Sequence, residues 1–214
     1  MDSYLDKYKV TVPEGESGEW KVTKFTLDDA ASDRTRWTAM RCPEGRGFVP
    51  PGTYTRLVRD ETLVMSDTPD EVRDHKPAML EGKGHCLVNG LGLGMVAQAL
   101  LNDPNVTKVT AIERSPDVIK LVGPHLTELF GDRLEIVEAD AFEYKPPKGV
   151  RYGMVWHDIW DTIDDENLPE MHKLHRKYGR KADWQGSWCQ DICERQREET
   201  RMYEAMSSYR NSIL

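Results

Sequence analysis

Three glycines spaced two apart, Gly90, Gly92 and Gly94, close the apolar run in CLVNGLGLGM (86–95). A turn without Cβ atoms lets a ligand lie against the main chain. A helix following such a turn offers free N–H groups and the positive end of its dipole to an electronegative group. Glu113 ends the next β-rich run, VTAIERS, roughly 20 residues on, where a carboxylate meets the paired hydroxyls of a ribose. Asp140 ends the third run, EIVEADAFEY. It is placed to accept a hydrogen bond from an adenine amino group, or else to cap a segment beginning at Ala141. A nucleoside site is the chemistry these features share. A fourth run, MVWHDIWDTIDDE, sets His157, Asp158 and Trp160 at its end, across from the glycine turn. His157 reads equally well as a histidine packed under a helix, and Trp160 as a pocket wall.

These residues need elements to hold them. Between 81 and 160, runs rich in Val and Ile (HCLVNG, VTKVTAIE, RLEIVEADAF, YGMVWHDIW) alternate with segments of helical period (LGMVAQALLND, SPDVIKLVGPHLTELFG). That alternation is the pattern of a parallel sheet covered by helices. Ser115 and Pro116 start the second helix and Gly131 ends it. Right-handed crossovers then gather the strand carboxyl ends, with Glu113, Asp140 and Asp158, on one edge.

Residues 1–80 read as a β-rich extension with a linking helix. EWKVTKFTL (19–27) is a strand, and TYTRLVR and TLVMSD form a hairpin about Asp60-Glu61. TPDEVRDH opens a helix, with Thr68 as cap, Pro69 in the first turn and Glu71 completing a capping box. Residues 161–214 read as helical: ENLPEMHKLHRKYGRK and DICERQREETRMYEAM are helices, and ADWQGSW is the turn between them. The expected fold is α/β and Rossmann-like, a mostly parallel sheet sandwiched by helices. It is shortened at the C-terminal side, ends at four strands, and carries a small N-terminal β-rich extension.

The 214 residues are 38% hydrophobic and 31% charged, with a net charge of −8. That balance counts against a protein whose main task is gripping nucleic acid through its phosphates. Cys42, Cys86, Cys189 and Cys193 form no paired framework, which suits a reducing compartment. MDSYLDKYKV has no apolar centre and reads as no signal peptide, and no run is long enough to cross a membrane. A cytoplasmic protein is expected. Lys173, Arg176, Lys177, Arg180 and Lys181 cluster in HKLHRKYGRK (172–181), as a solvated helix face or a collar for an anionic substrate. His172 and His175 with Cys189 and Cys193 match no common zinc spacing, so no metal is expected.

In order, CLVNGLGLGMVAQAL, VTAIERS, EIVEADAFEY and YGMVWHDIW resemble the successive motifs of class I S-adenosylmethionine-dependent methyltransferases, especially their spermidine synthase-like branch. The resemblance covers residues 80–160 or so. It implies S-adenosyl-L-methionine as cofactor, with Gly90, Gly92 and Gly94 beneath its methionine part. It also implies Glu113 on the ribose and Asp140 with Ala141 at the adenine. Asp158 is implied as the general base or substrate-orienting carboxylate, with His157 as a second candidate and Trp160 facing the acceptor. Methyl transfer needs alignment more than side-chain chemistry, and a base helps only where the nucleophile arrives protonated.

The chain departs from the family where an acidic residue usually anchors the cofactor's amino group: Val88 stands there, leaving Asn89 as the candidate. The family's later strands have no counterpart after Trp160, so the substrate wall must come from the N-terminal zone and the C-terminal helices. The paired-proline signature of amine methylation is absent, which removes support for nucleic-acid bases as acceptors. The preferred reading is methyl transfer to a small molecule or protein side chain; aminopropyl transfer stays open. GLGMVA (92–97) also fits a nicotinamide-dinucleotide fingerprint, which leaves an NAD-binding oxidoreductase as an alternative, and a non-catalytic binding module as another. A homodimer is compatible with all of these.

Overall fold

The computed structural model describes residues 6–42 and 45–212; the first five residues of the charged amino-terminal stretch lie outside them. In chain order the elements are β1 (Gly15–Ser17), β2 (Trp20–Leu27), α1 (Asp29–Ala39), β3 (Gly52–Arg59), β4 (Thr62–Ser66), α2 (Pro69–Asp74) and α3 (Lys76–Glu81). They continue with β5 (Gly84–Asn89), α4 (Met95–Leu101), β6 (Val106–Glu113), α5 (Pro116–Phe130), β7 (Leu134–Glu138), β8 (Tyr152–His157), α6 (Leu168–Tyr178), β9 (Ala182–Ser187) and α7 (Gln190–Ser212).

Strands β5 to β9 form a parallel sheet in the order β7-β6-β5-β8-β9. The chain runs outward from β5 through β6 to β7, then crosses to β8 and β9. The order therefore reverses between β5 and β8, and the crevice outside their carboxyl ends is where ligands of open α/β sheets bind. The inner strands read as continuous apolar runs because both faces are covered: Cys86, Leu87 and Val88 of β5 and Met154, Val155 and Trp156 of β8 are all buried. On α5 the Ser115 hydroxyl accepts the Val118 N–H, as a capping serine should.

The sheet has five strands, not four. ADWQGS, expected as a turn, is β9, paired in parallel with β8 from Tyr152–Ala182 to His157–Ser187. Its composition carries little strand signal, and its partners decide its state. Trp184 stacks on Trp156 with ring centroids 6.2 Å apart, Gln185 donates to the His175 carbonyl at 3.0 Å, and His175 meets the Ser187 hydroxyl at 2.9 Å. The segment after Trp160 is thus two helices flanking a strand rather than wholly helical.

Strands β1 to β4 form an antiparallel sheet in sequence order. The hairpin between β3 and β4 turns at Asp60, which takes the left-handed conformation at φ 53°. This sheet packs on the parallel domain: Ser17 donates to Asp117 of α5 at 2.7 Å, and the Gln98 amide of α4 donates to the Lys9 carbonyl at 2.9 Å. Asp67, buried after β4, holds the sheet's rim by accepting the Thr55 and Val10 N–H groups at 2.6 and 3.1 Å. The expected capping box does not form. The Thr68 hydroxyl bonds Ser66 at 2.9 Å instead of the helix main chain, which leaves Glu71 free to face the crevice.

No helix among the described residues is long and apolar enough to cross a membrane, and among them no group of three or more His, Cys, Asp or Glu side chains is arranged to hold a metal ion.

Candidate functional site

A cavity of about 290 Å³ opens at the carboxyl ends of β5, β6 and β8. Its floor is the glycine turn. Gly90 takes φ 98°, and a Cβ there would overlap the Asp158 carbonyl oxygen, so only glycine lets the turns after β5 and β8 lie together. A Cβ on Gly94 would strike Leu126 of α5, which gives that glycine a packing role. Gly92 differs. At φ 51° its absent Cβ points to the cavity, and the thioether of Met65, from β4, fills that space. The Met65 sulfur lies 3.1 Å from the Leu93 amide nitrogen and accepts its proton.

Glu113 stands beside this turn at the end of β6. Its carboxylate accepts the Leu91 N–H at 3.0 Å and the Ser115 N–H at 2.8 Å, which fixes its orientation while each oxygen keeps a second lone pair. Asp140, on the next strand end, lines the cavity and accepts the Phe142 N–H at 2.6 Å in a turn; no helix begins at Ala141. Ala141 is buried beside it. Lys177 of α6 clamps this loop, donating to the Ala141 and Phe142 carbonyls at 2.7 and 2.9 Å, and Lys173 lies over the Phe142 ring. Two cations of the basic run are therefore tied to the protein's own loop.

The wall opposite Glu113 is acidic. Asp158 Oδ2 and Glu71 Oε2 lie 3.6 and 3.7 Å from Nε2 of a single buried histidine, His75. His75 Nδ1 accepts the Trp156 indole N–H at 3.3 Å, so the ring proton sits on Nε2, facing the two carboxylates. Burial holds the ring neutral, with its pKa pushed down to about 3. Burial first, and neighbouring carboxylates second, push Asp158 up to about 7 and Glu71 up to about 8. Near neutral pH this cluster can therefore take up and release a proton. Asp161 is paired with Arg59 at 2.6 Å, and Trp160 donates its indole N–H to Glu170 at 2.8 Å, so both stand as fixed parts of the rim.

The crevice thus brings together Gly90, Gly92, Glu113, Asp140, Ala141, Asp158 and Trp160. It leaves out three candidates, of which Gly94 packs against Leu126 instead. The Asn89 side chain is wholly buried and donates to His157 Nδ1 at 2.8 Å, so it reaches no ligand. His157 is equally buried, packed against His175 and Tyr178 with tilted rings, and its pKa is held down to about 3 by burial. It is the packed histidine under a helix, not a proton carrier. Sequence reasoning missed Glu71, His75 and Met65. Acid and histidine four apart on one helix face was the available signal for the first two; nothing local marked Met65.

The fold and crevice define a Rossmann-like α/β chain with an acid-lined pocket at the sheet's switch point. No family model matches the chain. A polyamine aminopropyltransferase of Oceanobacillus iheyensis is 30% identical over 135 residues, 57% of this chain and 25% of that protein. The chain therefore spans about a quarter of the length of the curated relative it matches. Similar solved structures include spermidine synthase from Thermotoga maritima, with a TM-score of 0.47, 16% identity, and coverage of 81% of this chain and 53% of that one. They also include the CcbJ methyltransferase from Streptomyces caelestis, with a TM-score of 0.42, 16% identity, and coverage of 54% and 46%.

Proposed function

We propose that the chain is a transferase using an adenosyl sulfonium cofactor of the S-adenosylmethionine type, acting on an amine acceptor. The observation that carries this reading is the placement of Asp158 beside Glu71 and His75, across the same cavity from Glu113 and the glycine turn. Glu113 would hold the ribose and Asp140 with Ala141 the adenine. The fit is supported by the second lone pairs of the Glu113 carboxylate, which stands beside the glycine turn at the cavity. When bound, the cofactor supplies an activated carbon next to a positive sulfur.

The residues then do three things. Glu113 and the glycine turn orient the nucleoside. The carboxylates of Glu71, Asp158 and Glu170 favour a cationic acceptor over an anionic one. Asp158, poised near neutrality, takes the proton that an ammonium must lose before its nitrogen can attack. The same acids support aminopropyl transfer as a second reading, since a donor without a carboxylate suits this lining, and the curated relative is named for that reaction.

Titration calorimetry tests the proposal. S-adenosylmethionine or an adenosyl thioether derived from it should bind while NAD does not, and Glu113→Ala should weaken binding at least about tenfold, the loss of a charge-assisted pair of hydrogen bonds. Preference for NAD would sink the reading. Asp158→Asn should keep binding and lose transfer to an amine; tight binding with no turnover on any amine pool would instead favour a binding module.

A further inference from the structure

Met65, from β4, reaches the glycine turn itself. Its sulfur stands over Gly92 closely enough that a Cβ on that glycine would overlap it, and it accepts the Leu93 N–H at 3.1 Å. Met65 is half-buried and lines the cavity together with Val64, Leu57 and Trp188, so it stands inside the crevice rather than behind its wall. Asp158 and Glu71 line the same space. A group entering over the turn meets three conditions at once. The volume above Gly92 is filled, the Leu93 amide is already bonded, and the acids Asp158 and Glu71 offer an anion no positive partner.

We propose that Met65 is the specificity-determining residue of this pocket: it fills the tail subsite over Gly92, so the pocket favours adenine nucleosides with a short 5′ substituent over those carrying a full amino-acid tail with its carboxylate. The inference rests on the adenosyl reading of the cavity and goes one step beyond it, to the length and charge of the ligand's tail. The selection is steric first. A thioether is a weak acceptor on a flexible stem, so its hydrogen bond alone would give little discrimination, while its bulk excludes whatever must occupy the same volume. The buried carboxylates add to the penalty for a tail carboxylate, which would find no unoccupied N–H at Leu93 to offset its desolvation.

Two neutral thioethers that differ only in the tail are the probes. 5′-Methylthioadenosine has a methyl group where S-adenosylhomocysteine has the amino-acid chain. Calorimetry on the wild-type chain should give at least about tenfold tighter binding of methylthioadenosine. Met65→Ala should shrink that ratio about tenfold, through tighter binding of S-adenosylhomocysteine. Met65→Leu, which keeps the bulk and lacks the sulfur, should preserve the ratio. A wild-type chain that prefers S-adenosylhomocysteine overturns the proposal without any variant. A ratio unchanged within about twofold in Met65→Ala overturns it as well, provided the variant melts cooperatively. A Met65→Leu ratio that falls to the Ala value overturns the steric basis. Failure of both compounds to bind either wild type or Met65→Ala would instead refute the adenosyl reading beneath it.

Discussion

Replacing Asp158 with Asn removes one of two carboxylates that share His75. Each of the two oxygens lies within 3.7 Å of the same Nε2, so they are no more than about 7.3 Å apart, the two legs laid end to end. Two full negative charges at that separation repel by about 2 kcal/mol at an effective dielectric of about 20. Burial works in the same direction, and Asp158 rises to about 7 and Glu71 to about 8. Both groups sit above their values in the unfolded chain. The native state therefore keeps protons the unfolded chain has released, and stability falls as pH climbs from the ordinary carboxyl range to the folded-state values.

Asparagine has the shape of aspartate without the charge, so its advantage over Asp158 should grow across that window. For a chain of this size about 2 kcal/mol corresponds to roughly 4–8 °C in Tm. Scanning calorimetry should show the Tm difference between Asp158→Asn and wild type widening by that amount between about pH 5 and about pH 8.5. Glu71→Gln should behave likewise, and the double variant should gain less than the two singles together, because they remove one shared repulsion. A Tm difference independent of pH, or one that narrows as pH rises, would refute the account of this cluster.

Other expectations concern the turn and the loop around it. Gly90→Ala sets a Cβ against the Asp158 carbonyl, which no rotamer change can relieve, and should cost more than about 3 kcal/mol in denaturant unfolding. Gly92→Ala should cost about 1–2 kcal/mol, and the part due to the Met65 thioether should vanish in a Met65→Ala background; equal losses at both glycines would contradict this assignment. Lys177→Met removes two donors from the loop after β7 and should lower stability by about 1–2 kcal/mol, with faster amide exchange at Phe142 and Tyr144. Exchange that stays unchanged there would mean that Asp140, not Lys177, holds the loop.

Much of the scaffold was legible because its signals are local. The Val- and Ile-rich runs, the Ser115 cap and the Ser-Pro start act within a few residues of where they stand, and so do the three glycines. Glu113 and Asp140 were legible through topology: a strand end in a parallel sheet has only one edge on which to emerge. β9 was not legible, because ADWQGS becomes a strand only when β8 presents its free edge and Trp156 its ring. Asn89 and His157 misled for the opposite reason. Each sits at a strand end, but the alternation of side chains aims both beneath the sheet, where they bond to each other across 68 residues of sequence.

The amino-acid order alone thus determined where β5 to β8 and the helix α5 lie, that the sheet they form is parallel, and that the strand-end acids and the glycine turn share one edge. Tertiary structure decided what surrounds that edge. Glu71 and His75, on and just after α2, meet Asp158 only in the folded chain, and Met65 comes to lie over Gly92 only after a separate antiparallel sheet docks on the crevice. Propensity and capping energies depend on near neighbours, whereas a pocket's charge and volume depend on side chains that are neighbours only in the folded chain.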